Sequence, residues 1–534
     1  MRAWRLLKWP LLVLTLGTTT TNVRGDERGA PCETARPDEP PAKTARPFLG
    51  PQKRPRMTSP LKFEVSIAPG LNKTPIDGRL LIIAAPPAMA RPLDLISETG
   101  LDRPPVFAMD VRRFDASRPV TLDDSAVAFP ISSLAELRPD EYRVQAILDF
   151  NADLRSPRAP GNLVGKPINV RLDPSRDDII KLTLDQVLPA ESLPADTDTV
   201  KYVKLESKSL SAFHGRPIFL RAAVVLPSGF ASETDRRYPL RVTIGGFGSR
   251  YSFVPRRSPD PAAPKFLTLM LDGAGPLGDP YQVNSANHGP YGDAVTQELI
   301  PYVEKTYRGI GTGRARVLDG GSTGGWVSFA LQVFYPDFFQ GCWSFCPDSV
   351  DFRDFQLVNI YEHANAFVNE HGFERPACRD RNGDVRYTMR HEVRLENMLG
   401  RGGSWTMSGG QWGSWNAAYS PKGADGRPRA LWDPETGVID KDVAKHWEKY
   451  DLRLVLERNW KDLGPKLRGK IHIWVGEADD YFLNNAVHKL DAFLRKADPP
   501  AEAVVVFGPG QGHCWQGISN REMLDQMAKA VAAP

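Results

Sequence analysis

The chain has 534 residues, of which 41% are hydrophobic and 25% are charged, an ordinary composition for a globular protein long enough for two domains. The 68 Lys and Arg residues are nearly balanced by 64 Asp and Glu residues, and the two signs are interspersed along the chain. This balance leaves no basic face for nucleic acid, so we expect no nucleic-acid partner.

The stretch 1–25 has the pattern of an export signal. Basic residues precede an apolar run at 10–16, and the small residue Gly25 suits cleavage before Asp26. The run is too short to cross a bilayer, and no later segment is apolar and long enough to do so. We predict a signal peptide and an exported, periplasmic or extracellular protein with no membrane partner after cleavage. An uncleaved membrane anchor is the alternative.

Two segments with different composition follow the signal. Residues 26–58 are rich in Pro, Arg and Lys with few apolar residues, which predicts a linker. Short β-type runs then recur over 59–205, as at 63–67 and 142–147, and Pro or Gly interrupts them often. This pattern predicts an accessory domain with the architecture of a β-sandwich.

From 206 to 534 the pattern changes to strands that alternate with helices. Apolar strands are predicted at 241–244, 266–271, 315–318, 341–345, 471–475 and 503–507, with helices between them. Such alternation predicts an α/β fold, a mostly parallel sheet flanked by helices. The interval 347–470 is too long for a simple crossover, so we interpret it as a lid-like insertion over the carboxyl edge of the sheet.

Tryptophan is concentrated in the second half of the chain, where ten of the twelve lie between Trp326 and Trp515. Core packing is the simplest explanation for most of them. Alternatively, some line an aromatic substrate cleft. The candidates for substrate binding are Trp326, Trp405, Trp412 and Trp415.

The stretch 319–326, Asp-Gly-Gly-Ser-Thr-Gly-Gly-Trp, lies between a predicted strand and a predicted helix. A Gly-x-Ser-x-Gly turn in that position is a nucleophile elbow, in which a tight, strained turn lifts the serine hydroxyl clear of the sheet. Ser322 is therefore the candidate nucleophile. A plain glycine-rich turn is the alternative, and partner residues must decide between them.

A serine hydroxyl needs a base to take its proton and a carboxylate to orient that base. Asp479 follows the strand predicted at 471–475, and His513 follows the strand predicted at 503–507. The order Ser322, Asp479, His513 is the order found in α/β-hydrolases. Asp480 and Glu477 remain alternatives for the acid.

The loop 245–248, Gly-Gly-Phe-Gly, follows the strand predicted at 241–244. Glycine lets a backbone approach the substrate, and free N–H groups there can bind a developing oxyanion. We predict that Gly246 or Phe247 forms the oxyanion hole together with Thr323, the residue after the nucleophile. A flexible turn without this role is the alternative.

The five cysteines are few for an exported protein and cannot all pair, and the sequence does not say whether Cys342 or Cys346 pairs with Cys378 or Cys514. No Cys and His spacing resembles a zinc site. We expect neither a metal nor another cofactor.

From about residue 238 onward the chain resembles the α/β-hydrolase branch that includes esterase D, feruloyl esterases, enterochelin esterases and mycolyltransferases. The matching pieces are Gly-Gly-Ser-Thr-Gly-Gly at 320–325, Glu-Leu-Ile-Pro-Tyr at 298–302, Gly-Glu-Ala-Asp at 476–479, and Gly512-His513. The resemblance implies an α/β-hydrolase fold with Ser322, Asp479 and His513 as nucleophile, acid and base. The long insertion and an oxyanion loop without the family's usual His-Gly start are departures that leave the substrate open.

These features together predict an exported serine esterase that forms an acyl-enzyme on Ser322. The favoured substrate is a carboxylic ester on a carbohydrate or another bulky polar compound. The alternatives are an acyltransferase of the mycolyltransferase type and a non-catalytic glycan-binding protein. The sequence gives no indication of the oligomeric state.

Overall fold

The computed structural model describes residues 58–532, except 73, 98 and 255–259. These described residues belong to one compact unit of the chain. The predicted signal peptide and all but the last residue of the predicted linker lie outside them, so both stay predictions.

Nine strands in the first part of the chain pair into one sheet in the order β4-β1-β9-β7-β6-β2-β3-β5, with β8 paired to β6. Their bounds are β1 (Lys62–Ile67), β2 (Ile76–Ala85), β3 (Val106–Phe114), β4 (Val120–Leu122), β5 (Val127–Phe129), β6 (Asp140–Asp149), β7 (Leu163–Gly165), β8 (Ile168–Leu172) and β9 (Ile179–Val187). The prediction of a β-rich segment is confirmed here, and the sandwich arrangement stays a prediction.

Strand β2 shows why this sheet is stable, because it is buried on both faces. Leu80 and Ile82 pack into a core shared with the other strands of the sheet. Leu81 and Ile83, on the opposite face, pack against apolar side chains of a helix at 389–399, which belongs to the predicted insertion. Because side chains of a strand point alternately to its two faces, a strand covered on both sides is continuously apolar.

A second sheet has eight strands in the order β10-β11-β13-β12-β16-β17-β20-β21. Its strands are β10 (Val200–Glu206), β11 (Phe219–Val225), β12 (Leu240–Ile244), β13 (Leu267–Leu271), β16 (Arg316–Gly321), β17 (Cys342–Phe345), β20 (Ile471–Gly476) and β21 (Val504–Gly508); two short hairpins are β14 (Asn284–Ser285) with β15 (Gly289–Pro290) and β18 (Pro376–Arg379) with β19 (Val385–Thr388). Strands β10 and β11 run antiparallel, β11 is antiparallel to β13, and all pairs from β13 to β21 are parallel. The α/β prediction is confirmed, although the second sheet already begins at Val200, within the predicted β-domain.

Helices fill the intervals between these strands. They are α1 (Lys208–His214), α2 (Tyr291–Asp293), α3 (Ile300–Thr306), α4 (Thr323–Phe334), α5 (Met389–Leu399), α6 (Gln411–Tyr419), α7 (Lys441–Trp447), α8 (Leu452–Leu467), α9 (Asn484–Leu494) and α10 (Asn520–Ala532), with a π-helical turn at Ala294–Leu299 between α2 and α3. Among the described residues, no helix has both the length and the apolar character that crossing a membrane requires.

The predicted insertion at 347–470 contains the β18–β19 hairpin and helices α5 to α8. Helix α5 covers one face of the first sheet, and the segment that follows it leads to α6, whose Gln411 contacts Thr323 just beyond β16. The insertion therefore packs against both sheets. Its position brings residues of the first sheet close to the carboxyl ends of the second.

Candidate active site

Ser322 stands between β16 and α4 in a strained backbone conformation, with φ 56° and ψ −124°. Non-glycine residues rarely adopt a positive φ, and such strain persists where the surroundings impose it. The surroundings here are close-packed backbones: a Cβ on Gly320 would collide with the carbonyl group of Gly324, and one on Gly324 would collide with the carbonyl of Ile244. The glycines at 320 and 324 are therefore required for the turn to exist.

The imidazole of His513 lies between the candidate nucleophile and the candidate acid. Its Nε2 is 3.0 Å from Ser322 Oγ, and its Nδ1 is 2.7 Å from Asp479 Oδ2. Asp479 is fully buried, and its other oxygen accepts the backbone N–H of Tyr481 at 2.9 Å. The carboxylate is therefore fixed by its own loop and can hold the imidazole in one orientation.

The two alternative acids have other neighbours. Glu477 faces His488, with Oε2 and Nε2 3.0 Å apart. Asp480 faces Gly512, where its carboxylate would lie 3.4 Å from an added Cβ. Of the three candidates, Asp479 is the one whose carboxylate contacts His513.

The charge state of His513 is set by its neighbours. Burial alone would lower its pKa, but the hydrogen bond with Asp479 and then that with Cys514 raise the pKa to about 10. An imidazole must be neutral to accept a proton from serine, so both neighbours bear on the pH at which this group can act as a base.

The loop after β12 runs beside the nucleophile. A Cβ added to Gly246 would lie 3.7 Å from the Cβ of Ser322, and Gly246 and Phe247 both line the same cavity as Ser322. Thr323 is the first residue of α4, where backbone N–H groups have no partner within the helix. Gly246 therefore lies next to Ser322 across this loop, and Thr323 directly follows Ser322 along the chain.

A buried acid beneath the elbow was not anticipated from the sequence. Asp348, which follows β17, accepts hydrogen bonds from the hydroxyls of Tyr281 at 2.8 Å and Thr323 at 2.9 Å and from the indole of Trp415 at 3.2 Å. Burial raises its pKa, and these donors oppose that rise. Its position just beyond the strand next to β16 is the sequence signal that could have identified it.

Ser322 and His513 open into a cavity of about 770 Å³. Its walls include the loop after β12, the insertion with Gln411 and Trp412, and residues 154–160, which follow β6 of the first sheet. A cavity of this size can enclose a drug-sized ligand. The first sheet thus contributes directly to the wall around the nucleophile.

The four tryptophans predicted to bind substrate divide into two pairs. Trp412 and Trp415 line the cavity, and their rings stack with centroids 6.2 Å apart. Trp326 is fully buried against Tyr419, and Trp405 is stacked on Trp432 inside the insertion, so neither reaches the cavity wall. Trp326 and Trp405 instead belong to an aromatic core that α4 and the insertion share, which explains why both are buried.

Arg155 connects the first sheet to the insertion at the cavity wall. Its guanidinium forms an ion pair with Asp149 and donates to the carbonyls of Met407 and Leu399, each at 2.7 Å. Arg401 of the insertion reaches the same carboxylate at 2.7 Å. Both Arg155 and Asp149 are buried, so this junction is held by charge-assisted hydrogen bonds shielded from water.

Among the residues that the structure describes, one group of three potential metal ligands lies close together: a ring nitrogen of His513 and the sulfurs of Cys346 and Cys514, all within 4.8 Å of one another. Both ring nitrogens of His513 already have partners, Ser322 and Asp479. The cluster is therefore better described as two thiols beside the imidazole than as a metal centre.

Comparison with known proteins agrees with this geometry. Residues 280–524 match the family model described as "Esterase: Putative esterase", which confirms the resemblance over that segment. No curated protein matches the chain.

Solved structures with a similar fold include three hydrolases. They are a ferulic acid esterase (14% identity, 62% of this chain and 98% of that chain covered, TM-score 0.38), the fluorophosphonate-binding serine hydrolase FphF of Staphylococcus aureus (11%, 62% and 98%, TM-score 0.35), and an S-formylglutathione hydrolase from Agrobacterium tumefaciens (12%, 64% and 97%, TM-score 0.35).

Proposed function

We propose that this carboxylic ester hydrolase, whose residues 280–524 match the esterase family model, works through an acyl-enzyme on Ser322. The observation that carries the proposal is the chain of contacts from Ser322 Oγ through His513 to Asp479, at 3.0 and 2.7 Å. This chain begins at the wall of a cavity, so a substrate can meet the hydroxyl. Asp479 is the orienting acid and His513 the base.

The reaction proceeds in two steps. His513 takes the hydroxyl proton as Ser322 Oγ attacks the ester carbonyl, and the backbone N–H groups of Thr323 and of Gly246 or Phe247 stabilise the oxyanion. The imidazolium then protonates the leaving alcohol, and the acyl group remains on Ser322. In the second step His513 activates a water molecule, which releases the acid.

The substrate that the cavity favours is a bulky polar ester, for example one linked to a carbohydrate. Trp412 and Trp415 offer an apolar wall, while Gln411, Asp348 and the main chain of the glycine-rich loops offer hydrogen-bonding groups. Sites that bind large polar ligands combine such apolar area with a few placed polar groups. The contribution of residues 154–160 suggests that the first sheet selects among esters rather than serving as a separate module.

Export is part of the proposal and rests on the basic and apolar pattern of residues 1–25. The substrate would then be met outside the cytoplasm. Detection of a mature chain that begins after Gly25, by N-terminal sequencing of the secreted fraction, tests it; a full-length chain retained in cells is the contrary result.

Replacement of the nucleophile tests the mechanism directly. We expect Ser322→Ala to lower kcat on p-nitrophenyl acetate by at least about 10³-fold, because the variant lacks the hydroxyl that forms the acyl-enzyme. Ser328→Ala is the matched control, since Ser328 lies on α4, the helix that follows Ser322, and its hydroxyl donates to the carbonyl of Gly325. Equal rates for Ser322→Ala and the wild type would remove the mechanism.

The same acyl-enzyme could pass its acyl group to an alcohol, as in the acyltransferase alternative. Measuring the partition between free acid and transferred ester in the presence of an added sugar distinguishes the two. Free acid as the main product supports hydrolysis, and transfer as the main product supports the alternative.

A further inference from the structure

Two cysteines flank the proposed base. Cys346 follows β17 and is buried, and Cys514 directly follows His513 and is exposed. The backbone N–H of Cys514 donates to Cys346 Sγ at 3.1 Å, and the two sulfurs lie within 4.8 Å of each other and of the His513 ring. The proposed acyl transfer gives neither thiol a role.

Both cysteines are held in strained backbone conformations. Cys346 has φ 39° and Cys514 has φ 64°, in the region that side chains other than glycine rarely adopt. Cys346 is fixed further by its N–H, which donates to the carbonyl of Trp474 at 2.6 Å. Strain at two adjacent thiols, imposed by the surrounding structure, indicates that their positions relative to each other matter.

We propose that Cys346 and Cys514 are a redox pair that closes to a disulfide in the presence of a low-molecular-weight disulfide such as oxidised glutathione, and that this closure frees His513 to act as the base. The pairing itself does not depend on the proposed function, whereas the effect on His513 does. The sulfurs must approach from within 4.8 Å to a bond length of about 2.0 Å. Rotation of the exposed Cys514 side chain can supply that movement.

The chemistry is two successive thiol–disulfide exchanges. The Cys514 thiolate attacks one sulfur of oxidised glutathione, the S–S bond breaks, and one glutathione leaves as its thiolate. Cys346 gives up its proton and attacks the Cys514 sulfur of the mixed disulfide, and the second glutathione leaves. The two cysteines lose two electrons and the thiol proton of Cys346, and one oxidised glutathione becomes one glutathione thiolate and one glutathione thiol.

The two thiols have the asymmetry that such a sequence needs. Hydrogen bonding with Cys346 and then with His513 lowers the pKa of Cys514 to about 5, which favours the thiolate form of this exposed group. Hydrogen bonding with Cys514, followed by burial, raises the pKa of Cys346 well above its usual value. The exposed cysteine is therefore the attacking group, and the buried one is the resolving group.

The Cys514 thiolate also affects the base, because it helps Asp479 to raise the pKa of His513. A disulfide carries no charge, so closing the bond removes this contribution and leaves that of Asp479. The His513 pKa should then fall. Other titratable groups face His513 or its loop from the neighbouring elements and stay unchanged: Asp348, Asp479, Asp480, Tyr481 and Arg381.

The test uses the full mature chain, reduced or treated with oxidised glutathione, in buffer with a metal chelator. Free thiols are then blocked with N-ethylmaleimide and the peptides are mapped by mass spectrometry. We expect a Cys346–Cys514 linked peptide in the oxidised sample, which dithiothreitol abolishes. The same link should form in Ser322→Ala, which keeps this result independent of the esterase mechanism.

The second readout is the pH dependence of kcat/KM. A base works only when it is deprotonated, so each unit by which its pKa falls gains about tenfold in rate at pH values below that pKa. We expect the acid limb of the oxidised wild type to lie at lower pH than that of the reduced enzyme. Cys378→Ser, the matched control, should show the same shift, and Cys346→Ser should show neither link nor shift on oxidation.

Three results would overturn the proposal: both cysteines alkylated after oxidation, a link from Cys514 to any other cysteine, or a linked protein whose acid limb does not move. The first two results would overturn the proposed cysteine pairing whether or not the chain is an esterase. Failure of the proposed function would appear instead as an active Ser322→Ala variant.

Discussion

Asp479 and Asp480 are adjacent acids with different surroundings, and this difference allows a sharp test of the proposed acid. Asp479 is buried and contacts His513, whereas Asp480 faces Gly512. We expect Asp479→Asn to lower kcat by about 10³–10⁴-fold, because the amide can fix the wrong imidazole tautomer. Asp480→Asn should change it by less than about tenfold. Steady-state kinetics on p-nitrophenyl acetate measure both variants. A larger loss of kcat in Asp480→Asn than in Asp479→Asn would assign the acid to Asp480.

The residues of the candidate site differ in how far the sequence reveals them. Ser322, Asp479 and His513 each follow a predicted strand, and parallel strands bring their carboxyl ends to one edge. That rule predicts that the three residues lie near one another, but it does not predict which side chains touch. The choice between Asp479 and its neighbours therefore needed the structure. Asp348 follows the same rule, but the pattern of serine, acid and base does not point to it.

Helix α5 carries two buried carboxyl groups one turn apart, and they make its stability depend on pH. Burial, followed by the charge of Glu396, raises the pKa of Glu392 to about 8; burial raises that of Glu396 to about 7. The Glu396 side chain accepts from Ser408 and two backbone N–H groups, whereas Oε2 of Glu392 is buried without a hydrogen-bond partner.

An acid whose pKa is raised on folding holds its proton longer in the folded state, so the free energy of unfolding falls as pH rises from the unfolded value towards the folded one. The window for Glu392 runs from about pH 4.5 to about pH 8. We expect Glu392→Gln to be more stable than the wild type at pH 8 by on the order of 4 kcal/mol and to differ little at pH 5. Urea unfolding at the two pH values measures this, and an equal difference at both would contradict it.

Strand positions were predictable in both sheets, and in the first sheet the predicted runs at 63–67 and 142–147 fall within β1 and β6. The strands at 241–244, 471–475 and 503–507 appear within about two residues of their predicted bounds, because short apolar runs between glycines are typical of buried parallel strands. The predicted boundary between 205 and 206 falls within β10, which pairs in the second sheet. Its pairing with β11 is an antiparallel contact that no local pattern records.

The first sheet and the insertion act together at the scale of the whole molecule. Strand β2 packs against α5, and Arg155 ties the loop after β6 to the segment between α5 and α6. Contacts between segments about 250 residues apart cannot be read from composition or periodicity, which is why the sequence suggested an accessory domain and a separate lid. The structure instead makes one cavity from both.

Removal of Arg155 tests this coupling. Arg155→Ala leaves the buried Asp149 without its closest ion-pair partner, so we expect a loss of about 3–5 kcal/mol in the free energy of unfolding. Because the wall at 154–160 would loosen, activity on a bulky aryl ester of a sugar should fall further than activity on p-nitrophenyl acetate. Arg176→Ala is the control, since its ion pair with Asp178 is exposed and should contribute less than about 1 kcal/mol. If both variants lowered the free energy of unfolding equally, the contacts of Arg155 would not hold the first sheet and the insertion together.

The central claim is that Ser322 is a nucleophile activated within this fold. Labelling of the native protein with a fluorophosphonate, followed by peptide mapping, tests it most directly, because the probe reacts with an activated serine and marks its position. We predict a single adduct on Ser322 that is lost in His513→Ala, whose imidazole contacts Ser322 Oγ at 3.0 Å in the wild type. An unlabelled wild type, or an adduct on another residue, would contradict the account.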